Sequence, residues 1–322
     1  MKMQDLMLKF PENIFNKLNS ESLFACREVT RSWQNIIDER NYQWLRIVKI
    51  PTITKGKNSY LHLAAATGQT EAFNTAINQE EDKNIKNEHD ETPFLLACKH
   101  GRLKIVELLL KNTDLKMDFN ANDNFWGCTG FHFACQHGHF DVVKILVETT
   151  AGLNIDLKAN TKSGYTPFHL ACINGHSAVV KILMKNAADL SIDVNAEDIL
   201  GVPPFFLACY YDSTDLINIF MKNAANLGID LNAKVSSMSN WTGFHLASAK
   251  GYANVVQSFM KNAANLKIDL NAKSRNGYTA FNIACLSDQS EVVKILKDNA
   301  TALGINLNNN KPNAPKDFED IK

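Results

Sequence analysis

A short motif recurs through most of this chain at an almost fixed interval. Six segments align: Thr92-Pro-Phe-Leu-Leu-Ala97-Cys, Thr129-Gly-Phe-His-Phe-Ala134-Cys, Thr166-Pro-Phe-His-Leu-Ala171-Cys, Pro203-Pro-Phe-Phe-Leu-Ala208-Cys, Thr242-Gly-Phe-His-Leu-Ala247-Ser and Thr279-Ala-Phe-Asn-Ile-Ala284-Cys. Their alanines are spaced 37, 37, 37, 39 and 37 residues apart, and a weaker copy, Leu61-His-Leu-Ala64, lies 33 residues before Ala97. Repetition at such a period makes each copy one supersecondary unit, which buries its apolar face only by stacking on its neighbours.

The residues of one copy predict its shape. Thr166-Pro167 opens a helix, because proline at the first helical position gives up an N–H that has no partner there. Phe168, Leu170 and Ala171 supply an apolar face, and the small Ala171 and Cys172 allow close approach of the next copy. Gly175 turns the chain. Val179, Val180, Ile182 and Leu183 then follow helical spacing and form the stripe of a second helix. The stretch from Asn195-Ala196 to Gly201 reads as the hairpin that leads to the next copy.

The repeated Thr-Pro-Phe-His-Leu-Ala pattern resembles the ankyrin motif, and the resemblance spans residues 58–307. It implies an all-α ankyrin-repeat solenoid of about seven repeats. Most repeats are 37 residues long rather than about 33, the extra residues falling in stretches such as Lys185 to Ala196. It further implies that the motif histidines, His132, His169 and His245, tie hairpin backbone to the next unit, and that a concave face selects a protein target. The polar tail 308–322 reads as disordered.

Residues 1–50 carry no copy of the repeat. Three short amphipathic helices are predicted, after Pro11, from the Ser20–Ser22 region and from near Thr30, with Trp33, Ile36 and Ile37 on one face of the third. Leu23-Phe24, Arg27, Val29, Arg31, Trp33 and the later Trp44 resemble an F-box, so a small three-helix F-box-like domain precedes a 51–57 linker. Pro11 lies about one helical turn closer to Leu23 than in the family pattern, and Thr30 takes the place of the family's Cys. The resemblance implies docking to a Skp-type adaptor of a cullin ubiquitin ligase through Pro11, Ile14, Leu18, Leu23, Val29 and Trp33. The other reading of this segment is a helical cap for the array, in a plain scaffold. Residues 1–57 hold ten basic and six acidic side chains, which suits an acidic adaptor and equally a solvated face.

Composition narrows the function classes. A net charge of +0 and a pI near 7.1 give no basic stripe for nucleic acid. No apolar run approaches the ~20 residues that span a bilayer, and the start has no signal-peptide core, so a cytoplasmic or nuclear protein is expected. Seven cysteines, mostly one per copy and beside the core alanine, read as small buried hydrophobes rather than a disulfide framework. Cys128, in a hairpin, is expected nearer the surface. His137-Gly-His139 lacks the further ligands a metal site requires. No phosphate loop, His-Glu-x-x-His or Gly-x-Ser-x-Gly motif occurs, so neither catalysis nor a cofactor is expected. Asp193-Val-Asn195, Asp230-Leu-Asn232 and Asp269-Leu-Asn271 read as structural hairpin asparagines.

Target recognition is expected at four aromatic residues. Tyr210 and Tyr211 adjoin Asp212, which replaces the turn glycine. Trp126 and Trp241 sit in hairpins that read as lengthened, by one residue at 122–127 and by two at 234–241.

Overall fold

In the computed structural model residues 59–308 are described. The F-box-like segment with Pro11, Ile14, Leu18, Leu23, Val29 and Trp33, the 51–57 linker and the tail from 309 lie outside the described residues. Each motif threonine ends an extended stretch and starts a helix: the hydroxyls of Thr92, Thr129, Thr166, Thr242 and Thr279 accept the N–H three residues on, satisfying a donor with no helical partner. Ser59 does the same for the first copy. Pro203 cannot, and its helix starts without a side-chain cap.

The helices come in seven pairs: α1 (Tyr60–Thr67) with α2 (Thr70–Gln79), α3 (Pro93–Lys99) with α4 (Leu103–Lys111), α5 (Gly130–Gln136) with α6 (Phe140–Leu153), α7 (Pro167–Ile173) with α8 (Ser177–Lys185) and its short continuation α9 (Ala187–Leu190), α10 (Pro204–Tyr210) with α11 (Thr214–Leu227), α12 (Gly243–Lys250) with α13 (Ala253–Leu266), and α14 (Ala280–Leu286) with α15 (Ser290–Leu303). First helices pack on first helices and second on second, so the pairs stack in chain order. Among the described residues there is no strand, only two isolated bridges, Asn122 with Thr129 and Val235 with Trp241.

The core runs continuously between the two helix rows. The six motif alanines are wholly inaccessible, and every motif Phe is buried. In the middle of the stack aromatic rings interlock between the rows: Phe168 with Phe220 at 5.7 Å, Phe205 with Phe220 at 5.3 Å and with Phe259 at 5.8 Å, and Phe244 with Phe259 at 5.3 Å. Spacing of 4.5–7 Å between tilted rings is favourable beyond the area buried. Packing also explains why two copies read Thr-Gly. A Cβ on Gly130 would lie 2.7 Å from Phe94, and one on Gly243 would lie 2.6 Å from the Cys209 sulfur.

Polar groups lock the stack at three levels. His132, His169 and His245 each accept the backbone N–H of their capping threonine at Nδ1. This fixes the proton on Nε2, which donates to the carbonyls of Tyr165, Val202 and Tyr278 at 3.1–3.2 Å. His62 makes the same link to Glu91, and Asn282 makes it with its amide to Asn308. The inter-helix turns add a second clasp: Arg102 donates to the Ala66 carbonyl, and the side chains of His139, His176 and Tyr252 reach Lys99, Gln136 and Tyr210.

The third lock uses the loops that follow the second helices, in the 33-residue first copy as in the longer ones. Each Asp-x-Asn loop holds its Asn in an Asx turn, as where Asn232 N–H donates to Asp230 at 2.9 Å. The Asn232 amide then donates to the Lys267 carbonyl at 3.0 Å and accepts the Asp269 N–H at 2.8 Å. Asn84, Asn120, Asn195 and Asn271 bridge to their following repeats in the same way.

Two outcomes are expected. Asn232→Ala removes both bonds of one rung and lowers unfolding free energy by about 1–2 kcal/mol in denaturant titration, with no rescue by Asn232→Asp, whose carboxylate has nothing to donate to Lys267. The histidines give a pH dependence. Burial pushes His132 and His245 down to about 4, against the carbonyl bonds that pull upward, and lowers His62 and His169 for the same reason. Since these folded values lie below the ordinary ~6.5, the unfolded chain binds more protons between the two. The stability they contribute is complete above pH ~6.5 and is lost as pH falls towards 4, on the order of 2–3 kcal/mol for each fully buried ring. His245→Asn, copying Asn282, should keep the neutral-pH melting temperature and flatten the acid decline; an unchanged decline refutes this account.

Candidate protein-binding face

The hairpins between helix pairs project as a row of tips. In all but the 235–241 hairpin, which backbone bonds alone close, a side chain just before the tip fixes the backbone. Buried Asp123 accepts the Trp126 N–H at 2.9 Å, and buried Asp198 accepts the N–H groups of Leu200 at 2.8 Å and Val202 at 2.9 Å. Thr161 and Ser274 take the N–H of Tyr165 and Tyr278. Neighbouring tips are also bonded to each other: Lys162 N–H to the Trp126 carbonyl, Ile199 N–H to Ser163, the Ser237 hydroxyl to Leu200 and Arg275 N–H to Ser239. The row is therefore laced from tip to tip.

On this scaffold apolar side chains stand in water. Phe125 is 72% exposed, Trp126 57%, Ile199 71% and Leu200 57%. Phe125 and Trp126 pack edge to face at 4.6 Å. Lys162 and Ser163 separate the two pairs. Ile199 and Leu200 are not among the residues expected at the recognition surface. Their signal is visible in the sequence: they precede Gly201 as Phe125-Trp126 precede Gly127, where the equivalent positions elsewhere read Lys162-Ser163 and Arg275-Asn276.

The expected tyrosine pair lies at the end of a first helix. Tyr210 and Tyr211 are exposed, with rings at 5.0 Å. Lys250 stands 5.3 Å over the Tyr210 ring. Asp212 adopts the left-handed φ of +52° that glycine holds in five of the other turns, and Asp288 does likewise at +56°. Partial burial raises the Tyr165 phenol pKa, and the Asp198 charge pushes the same way.

Trp241 requires a correction. It is 4% exposed, and its ring lies 6.4 Å from that of His245. The two extra residues form a 3-10 turn at Ser236–Met238, after which Ser239 and Asn240 take φ of 53° and 58°. The chain folds back, Val235 N–H bonds the Trp241 carbonyl, and the indole fills the core rather than the tip. The 122–127 hairpin is lengthened by one residue as expected: Asp123 N–H bonds the carbonyl of Cys128, five residues on, where Thr161, Asp198 and Ser274 bond the carbonyl four residues on. Cys128 is also buried, and burial with the nearby Asp123 charge pushes its thiol up to about 12.

Four motif cysteines are packed in the core. Burial raises the thiols of Cys98, Cys135, Cys172 and Cys209, leaving no thiolate nucleophile among them. His139 is committed to the Lys99 carbonyl. Among the described residues no cluster of His, Cys, Asp and Glu could hold a metal ion, and no helix is long and apolar enough to cross a membrane.

Comparison with known proteins agrees with this architecture. The family described as ankyrin repeats (3 copies) matches residues 45–123, 61–159, 115–198, 151–235 and 205–311. No curated protein matches the chain in sequence. Among solved structures, the ankyrin repeat domain of Bcl-3, described as a unique member of the IkappaB protein family, superposes with a TM-score of 0.61 at 23% identity, over 75% of this chain and 99% of that one. That likeness concerns the fold. The family matches cover most of the sequence, and the chain belongs to the ankyrin-repeat family.

Proposed function

We propose that the array captures a target protein on the laced hairpin tips and the adjoining tyrosine pair. We further propose that the chain acts as the substrate receptor of a Skp–cullin–F-box ubiquitin ligase, without doing chemistry itself. The observation that carries target capture is the pair of apolar doublets, Phe125-Trp126 and Ile199-Leu200, held in water on hydrogen-bonded tips. Exposed aromatic and aliphatic anchors on a preorganised backbone lose little entropy on binding, and Trp and Tyr are enriched among interface hot spots. The ligase reading rests on Leu23, Arg27, Val29, Arg31 and Trp33 in the N-terminal sequence. A receptor so built would hold its target near the charged ubiquitin carrier and raise the local concentration of acceptor lysines. A plain ankyrin scaffold is the second reading, and the shortened interval between Pro11 and Leu23 is the feature that favours it.

Each half has its own test. Purified chain should retain the Skp adaptor in a pull-down, and Leu23→Ala with Trp33→Ala should release it; a folded wild-type chain that does not bind leaves the scaffold. On the array, Trp126→Ala with Leu200→Ala should leave thermal stability within about 0.5 kcal/mol, as for surface changes, while removing proteins that co-purify with the wild type. Trp241→Ala should instead cost about 3–5 kcal/mol of stability by opening a core cavity. Targets that survive the first pair of changes rule out the tip surface.

A further inference from the structure

One rung of the asparagine ladder is missing, and the site it leaves has a definite chemistry. Asn84, Asn120, Asn195, Asn232 and Asn271 each place a carboxamide between a loop carbonyl and the N–H two residues later. At the equivalent position the chain has Lys158. Its backbone is unaltered: Lys158 N–H donates to Asp156 at 2.9 Å, as the asparagines do to theirs. The receiving loop is unaltered too. Ser191 has φ of 52°, beside 48° at Lys116, 50° at Asn154 and 53° at Lys267, the residues whose carbonyls accept the other rungs. Among the described residues no hydrogen bond reaches the Ser191 carbonyl or the Asp193 N–H. Lysine cannot replace the rung, because its ammonium only donates and the Asp193 N–H needs an acceptor.

A cavity of about 230 Å³ lies at this place, lined by Lys158, Asn160, Ser191, Ile192 and Asp193 over a floor that includes Phe168. Its polar edge offers one acceptor and one donor two residues apart, in the register that five carboxamides span elsewhere in the molecule. We propose that this seam receives a primary carboxamide from outside, the side chain of an Asn or Gln on a bound protein, which donates to the Ser191 carbonyl and accepts from the Asp193 N–H. A carboxylate fits less well, since it has nothing to donate and would face the Ser191 carbonyl and the Asp193 side chain. The site is separate from the tip surface and does not depend on it.

The test uses the full chain, with acetamide as the probe and acetate as its isostere, read by amide NMR. Acetamide should shift the Asp193 N–H in the wild type and in Lys158→Ala, while leaving the Asp230 and Asp269 N–H groups, already bonded to their rungs, unmoved. Lys158→Asn should fill the site from within, abolish the Asp193 response and raise the melting temperature by about 2–4 °C, the shift that a stabilisation near 1 kcal/mol gives at this size. An Asp193 signal that ignores acetamide, that follows acetate equally, or that still responds in Lys158→Asn overturns the proposal. An unchanged melting temperature in Lys158→Asn overturns the geometry on which it rests.

Discussion

A helix pair of this chain cannot cover its own apolar surface. Phe168 and Val180 of one pair are buried only because another pair lies against them, and the same holds for each pair along the stack. Stability in such an array is a sum of unit terms and nearest-neighbour terms, so what sits between repeats matters more than what sits within them. Close approach is the first requirement, and it explains the inaccessible motif alanines, the buried thiols beside them and the two glycines where a Cβ would strike Phe94 or Cys209. Once the rows are this close, loop carbonyls and N–H groups of successive repeats come within reach of single side chains. The histidine, turn and asparagine links follow from that distance.

The repeat architecture was legible because it is written in local signals of fixed period: the Thr cap, the motif Phe, the small Ala-Cys pair and the turn glycine. The histidine link could be expected from family resemblance, yet its two substitutes, Leu95 and Phe206, show that the array tolerates its loss where an apolar side chain packs instead. The asparagine ladder was hidden for a different reason. Its Asp-x-Asn pattern is visible, but its partners are backbone atoms 32–37 residues away, which carry no residue-type signature.

The candidate face was half legible. Tyr210, Tyr211 and Trp126 are exposed where their register placed them. Trp241 misled because an inserted residue can lengthen a loop outward or fold it inward, and sequence length alone does not distinguish them. The left-handed Ser239 and Asn240 take the second course. Ile199 and Leu200 were overlooked because aliphatic residues are ordinarily read as core. Comparing the same tip position across repeats would have found them, since a core role would require apolar residues at Lys162 and Arg275 as well.

These features bear on one another through rigidity. An exposed tryptophan on a floppy loop would collapse onto its own surface, and ordering it on binding would consume much of what its burial gains. Here Asp123 and Asp198 hold the two apolar tips from within, and bonds through Lys162 and Ser163 hold them relative to each other. The repeat that contributes Lys162 and Ser163 is also the one whose loop carries Lys158. The tips flanking it are therefore joined through a repeat secured by its tip bonds and by His169, but not by an asparagine rung to the next. The seam between the Lys162–Ser163 tip and the Ile199–Leu200 tip thus goes without the two bonds of a rung, and the same substitution opens the donor and acceptor beside it.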